Sequence, residues 1–194
     1  IDRINASAAN SLLKFLEEPF PNIHAILTTS NINRILPTII SRSQVVQFQS
    51  LGKGILEQEV REAGYDQETA ALVSTLTNST EQAISIASNE FYLDIIESIN
   101  DIYDIISTQR ESLVIYFNQI SSIIYEDKEI SNLFLSCLII YQKDILNYIT
   151  GNTKNIVFKN HINTISLIAE EKTKNRLIDE LESMLNLKAR LNNY

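Results

Sequence analysis

The pattern of apolar residues changes near residue 50 and again near residue 90, and the first of these changes limits the fold more than any other feature. Before it, short helical pattern alternates with short apolar runs; after it, only helical spacing recurs. The first part opens on "SAANSLLKFLEEPFPN" (7–22), where Ala9, Leu12, Leu13 and Leu16 make one helical face. Asn5 can cap a helix from about Ala6 to Glu18 by accepting from first-turn amides. Pro19 and Pro21 forbid its continuation. "HAILTT" (24–29) then reads as a strand buried on both faces. After the polar "SNIN", the segment "RILPTIISR" (34–42) predicts a short helix, and "QVVQFQ" (44–49) predicts a second strand. Helix, strand, helix, strand is the tail of a parallel α/β domain.

From Leu51 onward three short helices are predicted over 52–64, 66–78 and 79–89. Gly64 serves as a C-terminal stop, and Ser79 with Gln82 has the spacing of a capping box. Longer helices follow at roughly 90–108, 110–126, 128–149 and 171–192, with an irregular piece and a short helix over 156–171. Ile and Leu dominate their faces, as in "LDIIESINDIYDII" (93–106), which suits a bundle. The expected fold class is therefore mixed and predominantly α.

Several classes of function are disfavoured by composition. The longest apolar stretches, such as "LFLSCLII" (133–140), fall well short of the roughly 20 residues that span a bilayer, so no membrane association is expected. The single Cys137 excludes an intrachain disulfide and fits a reducing, cytoplasmic address. A formal charge of −8 leaves the chain without the electrostatic footprint for holding phosphate backbones by itself. The chain begins Ile-Asp-Arg-Ile, without an initiator Met, and reads as a fragment.

Few residues look catalytic. His24, His161 and Cys137 share no metal-ligand spacing, so no metal site is expected. "LGKGIL" (51–56) has a lysine between glycines but lacks phosphate-loop spacing, so no cofactor is expected in this fragment. The pairs Glu17/Glu18 and Glu170/Glu171 are consecutive and do not converge as catalytic carboxylates do. Arg42 stands apart: it is placed where a short helix ends, between Ser41 and Ser43, and its planar donor fork suits phosphate oxygens. On chemistry alone the favoured reading is a surface arginine answering a helix dipole.

"AANSLLKFLEEP" (8–19), "ILTTSNINRILPTIISRS" (26–43) and the spacing between them resemble the AAA+ clamp-loader ATPases of bacterial DNA polymerase III. In that family an "A-x-N-x-L-L-K-x-L-E-E-P" helix precedes the sensor-1 strand, and an "S-R-C" motif follows the next helix. The resemblance implies three domains: residues 1–50 as the C-terminal part of the AAA+ α/β domain, 51–90 as a three-helix lid, and 91–194 as a helical collar for oligomerisation. It places Ser41, Arg42 and Ser43 at the S-R-C motif, with serine for cysteine. Arg42 would then be an arginine finger acting in trans on the γ-phosphate of ATP–Mg bound by a partner subunit. Thr28, Thr29 and Ser30 fall at sensor 1, where a hydroxyl orients nucleotide or water, or else simply ends a strand. Glu17 and Glu18 face either an interface or solvent.

The resemblance also bears on which subunit this is. Glu81 stands where ATP-binding members carry the sensor-2 arginine, and a carboxylate there repels a triphosphate. That departure favours the delta-prime class, which lends its finger to a neighbour. The phosphate loop would lie upstream of Ile1, "IDRIN" resembling the end of the Walker B region. The partners implied are gamma/tau and delta subunits and, through the assembly, the sliding clamp and primed DNA. The fragment alone is expected to have no ATPase activity. Two alternatives stand: a gamma/tau-type ATPase subunit, and a helical adaptor or oligomerisation module with no catalytic contribution.

Overall fold

The computed structural model describes residues 6–18, 23–29, 31–48, 52–108, 113–125 and 127–193. It is predominantly α-helical, and residues 1–49 and 50–194 form two compact units. Asn5, Pro19, Pro21 and Ser30 lie outside the described residues.

The first unit carries α1 (Ala6–Glu17), a 3-10 turn (Ile32–Arg34) and the short α2 (Pro37–Ile40). Pro37 occupies the first turn of α2, where its missing N–H costs nothing. The two expected strands are not formed: residues 24–29 and 44–48 have no regular secondary structure. An apolar run records a tendency to be covered, whereas a strand exists only when a neighbour supplies its ladder hydrogen bonds. Among the described residues neither run has that neighbour, and Ile26 and Phe48 are 90% and 89% exposed. The expected helix over 34–42 is likewise divided, because the N–H of Ile35 closes the 3-10 turn on the Ile32 carbonyl before Pro37 starts α2. Among the described residues of this unit, Ala9 on α1 and Ile39 on α2 are the buried apolar ones.

The second unit follows its predicted helices closely: α3 (Lys53–Glu62), α4 (Gln67–Leu76), α5 (Thr80–Ala87), α6 (Tyr92–Thr108), α7 (Leu113–Ile124), α8 (Lys128–Ile149), α9 (Ile162–Glu171) and α10 (Lys174–Asn193). Gly64 ends α3 with φ +103° and Gly151 follows α8 with φ +76°, a backbone region that excludes most side chains. Asp66 caps α4 by accepting from the N–H groups of Glu68 and Thr69, and Asp127 caps α8 by accepting from Ile130. The predicted capping box at α5 forms only in half. Ser79 Oγ accepts from Gln82 N, but the Gln82 side chain accepts from the Thr77 hydroxyl at 2.5 Å instead of reaching back to its own cap.

One hydrophobic cluster runs without a break from Leu56 and Val60 on α3 to Leu177 on α10. Helix α8 is its axis, packed against α6, α7, α9 and α10. Tyr141 on α8 stacks on Tyr103 of α6 with centroids 3.9 Å apart, and meets the tilted ring of Phe158 at 4.8 Å. Cys137 is fully buried beside them, and burial pushes its thiol up to about 12, which makes it inert packing.

Two polar devices cross this apolar core. Asp144, 1% exposed, accepts from the backbone N–H groups of Val157 at 2.9 Å and Phe158 at 2.8 Å, so the buried segment 156–158 has no orphan amides there. Burial pushes the Asp144 carboxyl up to about 6, against the lowering effect of those two bonds. The second device is a relay. Tyr103 donates its hydroxyl to Gln142 Oε1 at 3.2 Å, and Gln142 Nε2 donates to Glu180 at 2.8 Å. Glu180 also accepts from Lys172 at 2.7 Å and Arg176 at 3.2 Å, so α6, α8 and α10 are joined through one buried amide.

Candidate functional site

The sequence "PTIISRS" (37–43) folds into one turn of helix and an overhang whose side chains bend back onto it. The N–H of Ser41 donates to the Pro37 carbonyl at 2.9 Å, that of Arg42 to Ile39 at 3.1 Å and that of Ser43 to Ile40 at 3.2 Å. These bonds tighten the helix end, where carbonyls would otherwise lack partners. The three side chains satisfy what remains. Ser41 Oγ donates to the Thr38 carbonyl at 3.1 Å, Ser43 Oγ to Ile39 at 2.8 Å, and Arg42 Nη1 to Thr38 at 3.1 Å. A serine at position 43 therefore has a definite task, since its hydroxyl returns to the carbonyl four residues earlier.

The second terminal nitrogen of Arg42 goes elsewhere. Nη2 donates to Glu17 Oε1 at 2.8 Å, joining the end of α2 to the last residue of α1. Glu17 would be poorly placed alone, because a carboxylate at a helix C-terminus meets the negative end of the dipole. Arg42 offsets that, while its own cation is favoured at the end of α2. Both side chains remain accessible, 38% exposed for Arg42 and 51% for Glu17.

The structure thus brings Arg42, Ser41, Ser43 and Glu17 into one cluster. The partnership of Glu17 with Arg42 is absent from the sequence reading, which gave Glu17 only an interface or solvent. The one available signal was a carboxylate at a helix end without a cation among its helical neighbours after Lys14. Glu18 is exposed, its N–H donating to the Lys14 carbonyl. Thr29 is occupied locally: its hydroxyl accepts from the Asn31 N–H at 3.0 Å, and Asn31 in turn caps the 3-10 turn by accepting from Asn33. Thr28 is exposed.

In the second unit Glu81 lies in the first turn of α5, where the dipole favours a carboxylate. The Ser79 hydroxyl donates to it at 2.6 Å and holds its carboxyl below the usual range. It is a settled anion at a helix N-terminus. Among the described residues no group of three acidic, histidine or cysteine side chains lies close enough together to hold a metal ion. No described helix is long and apolar enough to cross a membrane.

Residues 1–52 match the family described as "DNA polymerase III, delta subunit". The chain is 29% identical over 191 residues to "DNA polymerase III subunit delta'" of Bacillus subtilis, covering 98% of this chain and 58% of that protein. It is 31% identical over 104 residues to "Uncharacterized protein MG007 homolog" of Mycoplasma pneumoniae, covering 44% of this chain and 41% of that protein. No solved structure matches. The likeness to the Bacillus subtilis protein runs along nearly the whole of this chain, which spans less than two thirds of the curated relatives it matches.

Proposed function

We propose that this chain works as a delta-prime-like subunit of a clamp loader and lends Arg42 to the ATP site of a neighbouring subunit. The observation that carries the reading is the joint occurrence of a delta-prime-like sequence and an accessible guanidinium at the end of α2, in the "SRS" turn. In this reading a gamma/tau-type neighbour holds ATP–Mg. Water attacks the γ-phosphorus, the bond to the bridging oxygen breaks, and ADP and phosphate leave. Arg42 neither gives nor takes a proton. It offsets charge on the phosphoryl oxygens, an effect worth on the order of 10³ or more in rate for fingers of this kind.

The remaining parts take supporting roles. Residues 51–90 serve as the lid, and 91–194 as the collar that assembles with gamma/tau and delta subunits in the cytoplasm. The assembly opens the sliding clamp and sets it on primed DNA. Glu81, an anion held by Ser79 at the position of a sensor arginine, argues for donating a finger over binding a triphosphate. The test is reconstitution of the full-length loader with Arg42→Ala and measurement of DNA-stimulated ATP turnover. A fall of about 10³-fold is expected, and wild-type turnover would sink the role.

A further inference from the structure

Resting on the finger role proposed above, we infer that Glu17 is a positioning residue for Arg42: it parks the guanidinium, and a nucleotide phosphate must displace it. The guanidinium has two terminal nitrogens, and both are engaged. Nη1 donates to the Thr38 carbonyl at 3.1 Å and lies 3.5 Å from Ser41 Oγ, while Nη2 donates to Glu17 at 2.8 Å. The last distance lies in the range of a charge-assisted bond. Its two anchors belong to helices, a side-chain carboxylate at the end of α1 for Glu17 and a backbone carbonyl of α2 for Thr38, so one tip of the fork is held by a fixed group and the other by a movable one.

These two anchors differ in how they yield. Thr38 offers a neutral carbonyl of the same short helix and travels with the arginine. Glu17 offers a full negative charge of the same kind a phosphate offers, on a separate element. A triphosphate presents several charges where Glu17 presents one, so it outcompetes the carboxylate for the same nitrogen. Release is easy because both side chains already touch water and Glu17 returns to solvent at little cost. The carboxylate therefore acts as an internal competitor that sets the threshold for engagement. It also keeps a lone cation from gripping unrelated anions before a neighbour arrives.

The test uses the full-length chain assembled with gamma/tau-type and delta-type subunits, carrying Glu17→Gln, Glu17→Asp or Arg42→Ala, and the combination of Glu17→Gln with Arg42→Ala. Removing the competing charge should lower the KM for ATP by about two- to fivefold, the span of exposed ion pairs, with kcat within about twofold of wild type. Glu17→Asp, which keeps the charge, should return KM toward wild type. In the Arg42→Ala background Glu17→Gln should change nothing further. An unchanged or raised KM in Glu17→Gln, or an effect that persists without Arg42, overturns the parking role. Wild-type turnover in Arg42→Ala alone overturns the finger reading instead, so the two failures are told apart.

Discussion

Residues 1–49 and 50–194 solve opposite problems with the same kind of sequence. In the second unit, apolar side chains from Leu56 to Leu177 cover one another in a continuous cluster. In the first, Ala9 and Ile39 are buried while Ile23, Ile26, Leu36, Val45, Val46 and Phe48 are exposed. Order in the first unit is carried by hydrogen bonds that side chains make to nearby backbone: Ser41 and Arg42 to Thr38, Ser43 to Ile39, Asn33 N–H to Asn31. The difference shows that burial and local hydrogen bonding are separable sources of shape. The candidate site sits on the second kind, where a guanidinium can change partners without disturbing a core.

That contrast can be broken most directly by truncating an aromatic in each unit. Phe158→Ala, at a site with no exposure against Tyr141, should destabilise residues 50–194 by about 3–5 kcal/mol. Phe48→Ala, 89% exposed, should shift stability by less than about 0.5 kcal/mol. Equal shifts in chemical denaturation would show that the two units do not differ as described.

The next largest effect sharpens the role of polar groups in the buried unit. The folded carboxyl of Asp144 lies at about 6, above its ordinary 3.8. Between those two values the folded state binds more protons than the unfolded one, so stability from this group falls as pH rises through the window and is constant above it. Comparing wild type with Asp144→Asn by urea denaturation from pH 4 to 7 should show the difference changing by on the order of 3 kcal/mol, to the disadvantage of wild type. Asp144→Ala, which strands the amides of Val157 and Phe158, should cost about 2–3 kcal/mol at pH 7 relative to Asp144→Asn. A flat difference across pH would mean that the carboxyl is solvated.

The smallest effect belongs to the site. Arg42→Ala and Glu17→Gln should each alter stability by no more than about 1 kcal/mol, because an exposed pair is screened by water and salt. A larger loss, read from the same denaturation curves, would make the pair a structural element of the first unit.

The helices were legible because their apolar periodicity is local: α6 and α8 lie where the spacing places them. The two strands were not, since "HAILTT" and "QVVQFQ" advertise a wish for cover that only a neighbouring strand satisfies. Arg42 was legible as a motif, whereas its bond to Glu17 depends on how two helix ends meet 25 residues apart in sequence. Asp144 gave only the weak sign of a carboxylate inside an apolar helix, because the amides it serves belong to a segment beyond Gly151. Gln82 misled because Thr77, five residues earlier, offered its side chain a closer hydroxyl.

The relay through Gln142 carries a consequence for the order in which the chain folds. Tyr103 precedes Gln142 by 39 positions and Glu180 follows it by 38, so the amide closes two loops of nearly equal length. Each closure costs chain entropy that a single hydrogen bond does not repay, so the surrounding apolar packing must hold the loops closed. In a chain emerging from the ribosome the bond between α6 and α8 can therefore form before the one to α10, and the relay is complete only once Glu180 has been made.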